Sequence, residues 1–178
     1  MDNLGSIISA KKIADFLKSQ GRKLSAETVY GYLRALEDAL VIYRVRRFDI
    51  RGKRILETQE KYYLADLGLK HAVVGFKDAV IPGLLENIVF LELRRRGYQT
   101  NVGKNDAFEV AFVGERKDER IYIQVAYLLN SEKTANREYR ALNSIPDHYP
   151  KLVISMDPFF STNTGGVRWV NLEAFLLE

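Results

Sequence analysis

The chain has 178 residues, of which 47% are hydrophobic and 28% charged, with no cysteine and a formal net charge of +4. That is enough chain for one domain or two small ones with a buried core, and it excludes a disulfide scaffold, a thiol nucleophile and a cysteine zinc site, which suits a cytoplasmic protein. No apolar run approaches the roughly 18 residues of a membrane span, and no signal-peptide pattern opens the chain, so no membrane partner is expected.

Ser9 can cap a helix to about Gln20, with Ile13, Phe16 and Leu17 as its apolar stripe and Gly21 as its left-handed stop. Ser25 caps a second helix carrying Val29, Tyr32, Leu33, Leu36 and Leu40 at helical spacing. Residues 41–48 read as a strand, with Val41, Tyr43 and Val45 on one face and Arg44 and Arg46 on the other beside Ile42 and Phe48. A basic tip at 49–54 leads to a returning strand at 61–65. Two short helices and a hairpin make a winged-helix-like domain over 1–72 the natural expectation.

Asp66 caps a short helical turn, and 72–82 read as a connector ending in Pro82. A helix follows from about Gly83 to Arg96, apolar over most of its girth and so largely buried. Strands are expected at 98–102, 108–113 and 120–128, with 114–119 as an exposed turn between the last two. Ser131 or Thr134 can begin a helix to about Ile145. Lys151–Met156 reads as a strand buried on both faces, joined to its predecessor by a parallel crossover. Val167–Val170 reads as a last short strand, and Asn171 caps a closing helix.

Strand parity places Ile121, Ile123, Val125 and Tyr127 toward the core and Tyr122, Gln124 and Ala126 on the other side. In the preceding strand it groups Glu109, Ala111 and Val113 against Val110 and Phe112. Two strands joined by a charged turn, then a helix and another strand, resemble a restriction-endonuclease-like fold, expected over 73–178 as a mixed-sheet α/β (α+β) domain. In such a nuclease an acid on the first strand, and an acid two residues before a lysine on the next, hold Mg²⁺ and activate water. Here those positions read Ala111, Gln124 and Ala126: no oxygen, a neutral amide and no ammonium. Glu86 and Glu109 are the remaining carboxylates, and the five residues form an expected degenerate site with no catalytic group, no metal and no cofactor.

The chain also resembles the C-terminal region of a large family of bacterial and archaeal AAA-type ATPases, a trailing domain of unknown function. The resemblance rests on pieces in shared order across nearly the whole length, among them Ser25-Ala26-Glu27-Thr28-Val29-Tyr30-Gly31-Tyr32-Leu33, Lys61-Tyr62-Tyr63-Leu64-Ala65-Asp66-Leu67-Gly68, Leu85-Glu86-Asn87-Ile88-Val89-Phe90-Leu91-Glu92-Leu93 and Glu109-Val110-Ala111-Phe112-Val113. It implies an upstream ATPase module in the same polypeptide, a winged-helix-like connector and a terminal nuclease-like domain. Members of the family usually carry Asp where this chain has Ala111. No phosphate loop occurs here, since Gly52-Lys53 lacks the upstream glycine and the following hydroxyl, so the chain is expected neither to bind nor to hydrolyse ATP alone. It is expected to be a fragment of a longer protein, with a free-standing remnant as the alternative.

Function is therefore expected to be non-catalytic, regulatory or protein-interacting. The alternatives are DNA binding through the winged helix and, less favoured, an active Mg²⁺-dependent nuclease. Residues 1–72 hold 14 Lys and Arg against 9 Asp and Glu, and 73–178 hold 13 against 14, so the basic surplus lies in the first part. Arg34 on the second helix, with Arg44, Arg46, Arg51, Lys53 and Arg54 on the hairpin, would make the phosphate contacts.

Overall fold

The computed structural model describes residues 6–75, 81–159 and 165–178. Helices α1 (Ala10–Ser19) and α2 (Ala26–Asp38) start where expected, because the hydroxyls of Ser9 and Ser25 accept from the N–H groups of Lys12 and Thr28. Strands β1 (Ile42–Asp49) and β2 (Arg54–Leu64) form an antiparallel hairpin, in whose turn Asp49 accepts the Gly52 N–H. The returning strand thus begins at Arg54, well before residue 61. Asp66 caps α3 (Leu67–Val74), so this helix occupies the start of the expected connector, while residues 76–80 lie outside the described set. Helix α4 (Ile81–Arg95) begins ahead of Gly83, since Pro82 in a first turn removes no intrahelical bond.

Then come β3 (Gln99–Asn105), β4 (Phe108–Arg116), β5 (Glu119–Val125), α5 (Glu132–Asn143), β6 (Lys151–Ser155), β7 (Val167–Asn171) and α6 (Leu172–Leu177). Helix α5 is capped by Ser131, and α6 by Asn171. The turn expected over 114–119 shrinks to Lys117-Asp118, because Glu115 and Arg116 pair in register with Arg120 and Glu119.

The seven strands among the described residues form one mixed sheet in an α/β fold, in the order β2-β1-β3-β4-β5-β6-β7. β1 pairs parallel with β3, which then pairs antiparallel with β4, and β5, β6 and β7 run parallel to one another. The parts expected on either side of residue 72 therefore share a sheet. Of the hairpin expected as a wing, β1 is an interior strand of that sheet and only β2 lies at an edge.

Both faces of the sheet are covered. Val89, Phe90 and Leu93 of α4 and Phe175 of α6 pack on one face with Val45, Tyr63, Phe112 and Ile123. Tyr63 stacks on Phe90 at 4.6 Å between ring centroids and meets Phe112 at 5.5 Å. On the other face Tyr139 and Leu142 of α5 pack against Phe48, Val110, Val113 and Tyr122. Ile42, which shares Phe48's side of β1, meets Leu33 of α2 on that same face.

Tyr122 and Ala126 are consequently buried as well as Ile123, whereas Tyr127 is exposed. In β4 the expected alternation fails at one point. Asn101 pairs with Val113 and Gly103 with Val110, so Ala111 and Phe112 together oppose the single Val102. This bulge turns Ala111 and Phe112 to the α4 face and returns Val113 to the side of Val110. Gly103 accommodates it, since a Cβ there would lie 2.9 Å from both Val110 and Val113.

Candidate functional site

Helix α4 is fixed to β2 by a residue that sequence reasoning passed over. Asn87, fully buried, accepts from the Leu64 N–H at 2.7 Å and donates to the Leu64 carbonyl at 2.9 Å. Its neighbour Glu86 is thereby held over Lys61 and Tyr63. The Lys61 ammonium, on a side chain only 3% exposed, lies 3.2 Å from Glu86 and 2.8 Å from Glu109. The Tyr63 hydroxyl donates to Glu86 at 3.1 Å.

Glu86 and Glu109 thus do come together, but around an internal lysine. Burial pushes the Glu86 carboxyl up from its ordinary value, and Lys61 pulls it part of the way back. Burial, with Glu86 alongside, pushes the Tyr63 phenol well up. A divalent cation between the carboxylates would have to displace or repel Lys61, whose own burial leaves it no other anion to turn to. Among the described residues no three His, Asp or Glu converge in a way that could hold a metal ion.

The other members of the expected degenerate site lie elsewhere. Ala111 belongs to the apolar cluster under α4, and Ala126 to the cluster under α5. Gln124 has a structural role. Its Oε1 accepts the Ala111 N–H at 2.5 Å, satisfying a backbone donor at the bulge, and its Nε2 donates to Glu138 of α5 at 2.6 Å. Arg137 completes the group by donating to Glu138 at 2.8 Å. An amide suits this position because one end must accept and the other donate, which no carboxylate can do. The five residues are therefore divided between the two faces of the sheet, and Glu86 and Glu109 stand with Lys61 and Tyr63, which the motif-based expectation did not include.

The expected phosphate-binding set is partly engaged within the protein. Arg44 lies 3.5 Å from Glu37 and 3.6 Å from Glu60, and Arg51 lies 2.8 Å from Asp106. Arg34, Arg46, Lys53 and Arg54 are exposed. The Arg94-Arg95-Arg96 run serves packing. Arg94 sits 4.3 Å over the Tyr43 ring, while Arg95 and Arg96 grip Glu92, each at 2.6 Å, and hold its carboxyl below the usual range.

Comparison with known proteins adds a region and two relatives. Residues 1–80 match the family described as a domain of unknown function, DUF8612. An uncharacterized protein of Haemophilus influenzae is 37% identical over 179 residues, which cover 99% of this chain and 44% of that protein. Uncharacterized protein MJ1544 of Methanocaldococcus jannaschii is 39% identical over 140 residues, covering 75% of this chain and 30% of its own length. The chain thus spans less than half the length of these curated relatives. No solved structure matches it. No helix among the described residues is long and apolar enough to cross a membrane.

Proposed function

We propose that this chain is a non-catalytic accessory region of a longer AAA-type ATPase, built on a restriction-endonuclease-like scaffold and acting through protein contacts, regulatory for the upstream module. The observation that carries the reading is the Lys61 ammonium between Glu86 and Glu109. It neutralises the only carboxylates of the expected nuclease site from inside the fold. With an alanine at 111 and an amide engaged at 124, no set of anionic oxygens remains to meet the ligand demand of Mg²⁺. The length of the Haemophilus influenzae relative, more than twice the matched span, is compatible with a second module in the same polypeptide.

Two measurements test this. Plasmid incubated with the chain and Mg²⁺ or Mn²⁺ should remain intact, and cleavage that disappears in Glu86→Ala would overturn the non-catalytic reading. Cross-linking of the full-length Haemophilus influenzae protein should join this region to the remainder, and deleting the region should change ATP turnover. Failure of both would overturn the accessory role. DNA binding through the hairpin is the weaker reading, because Arg44 and Arg51 already face carboxylates. It predicts duplex binding that weakens steeply with salt.

A further inference from the structure

The net charge of the chain is localised. Residues 9–24, which comprise the Ser9 cap, α1 and the turn after it, carry Lys11, Lys12, Lys18, Arg22 and Lys23 against Asp15. Five cations against one anion is a surplus of four, the whole of the chain's +4, and the remaining residues hold 22 of each sign. All five cations are exposed, and no carboxylate among the described residues forms an ion pair with any of them.

This basic helix is one wall of an apolar groove of about 620 Å³. Lys12 and Phe16 line it from α1, Leu33 and Leu36 from α2, and Ile42 and Leu64 form part of its floor on the β1–β2 hairpin. Phe16 and Leu36 are 64% and 41% exposed, so two large apolar side chains at the mouth face solvent. A monomer gains nothing by leaving such groups uncovered beside a concave apolar floor.

We propose that this groove receives an acidic amphipathic helix of a protein partner, its apolar ridge seated between α1 and α2 and its carboxylates at the Lys12 rim, in the field of the other cations of residues 9–24. The inference rests on the protein-interaction reading above and supplies the chemistry of the partner. Shape favours a helix over the other anionic ligands. A concave floor accepts a projecting row of side chains at i, i+3 or i+4, and i+7, whereas a bilayer would require the apolar groups to project outward. Nucleic acid would place phosphates along the cations but leave the exposed Phe16 and Leu36 uncovered. The basic wall then gives the orientation and the rate of encounter, and the apolar floor gives the affinity.

The test uses a fluorescein-labelled peptide of about 16 residues with Leu at helical spacing and Glu elsewhere, and its counterpart with Lys for Glu. Anisotropy titration with the 178-residue chain should show saturable binding of the Glu peptide and not of the Lys peptide. Phe16→Ser and Leu36→Ser, both surface changes that should leave the circular dichroism unchanged, should each weaken binding at least about tenfold. Lys11→Glu/Lys12→Glu should weaken it further in low salt. Amide chemical-shift changes should concentrate at 12–17, 33–36 and 62–64. The proposal is overturned if the Glu peptide fails to bind, binds no better than the Lys peptide, or is indifferent to Phe16→Ser. It is equally overturned if anionic phosphatidylglycerol vesicles or a 20-bp duplex bind more tightly and lose affinity in the same variants. Cross-links in the full-length relative that persist when the peptide fails would leave the accessory role standing and remove only the groove.

Discussion

Replacing Lys61 by Met is the perturbation that most directly probes the buried charge cluster. Methionine keeps the volume and apolar stem of lysine but removes the ammonium that faces Glu86 at 3.2 Å and Glu109 at 2.8 Å. Truncating one member of a buried ion pair costs about 3–5 kcal/mol, because the remaining charge is left in a poor dielectric without compensation. Glu109 is 36% exposed on its side chain and retains water, so the lower end, about 3 kcal/mol, is the expected loss at pH 7. For a chain of this size that corresponds to a fall of about 6–12 °C in Tm.

The pH dependence gives a second readout. Burial already raises the Glu86 carboxyl, and Lys61 opposes that rise; in the variant the carboxyl moves further up. A carboxyl that is harder to ionise in the folded state binds more protons there than in the unfolded chain. Stability then falls as pH rises through the folded pKa, and recovers as pH falls toward the ordinary carboxylate value. The deficit of Lys61→Met should therefore be largest at pH 7–8 and shrink toward pH 5. Urea denaturation at a series of pH values measures it, and Lys61→Met/Glu86→Gln/Glu109→Gln should recover about half of the loss. A deficit below about 1 kcal/mol that does not vary with pH would refute the claim that Lys61 neutralises this site.

Three further outcomes follow from the same geometry. Asn87→Ala leaves both the N–H and the carbonyl of Leu64 without a partner and should cost about 2–4 kcal/mol in urea denaturation, with the α4 amides losing hydrogen-exchange protection first. Ala111→Asp with Gln124→Glu should not create a cation site, since the two side chains belong to opposite faces; calorimetric titration with Mn²⁺ should show no saturable heat, and the carboxylate introduced at position 124, facing Glu138, should destabilise the fold more at pH 7 than at pH 4. The Tyr122 phenol, buried and donating to Asp147 at 2.6 Å, is pushed up to about 12. It therefore favours folding below pH 10, an advantage lost as pH rises from there to about 12, and Tyr122→Phe should flatten the alkaline unfolding curve over that interval.

Local signals in the sequence carried the element boundaries. Ser9, Ser25, Asp66 and Asn171 cap the helices expected of them, because a cap is settled by one side chain and the next two or three N–H groups. The short apolar run at 151–155 was legible as a doubly covered strand because an unbroken apolar run leaves neither face for solvent. The candidate site was legible only in part. Glu86 and Glu109 could be picked out as surviving acids, yet Lys61 could not, since a lysine in an edge strand reads as solvated; its one clue was parity with the aromatic Tyr63 on β2. Strand parity misassigned Phe112 and Val113 because a bulge of one residue leaves no mark in composition, and the role of Gln124 depends on that bulge. The hairpin looked like a free wing because the pairing of β1 with β3 joins residues some fifty positions apart, beyond the reach of any local pattern.

The pairing of β1 with β3 also bears on how this chain can be handled. The family match ends at residue 80, but a polypeptide cut there would carry β1 away from its neighbour and expose a row of open amide and carbonyl groups along an apolar strand. Such a piece is a ready seed for intermolecular sheet growth. The segment that recurs as a unit of sequence therefore becomes a stable unit of matter only when the strands that follow close over its inner border.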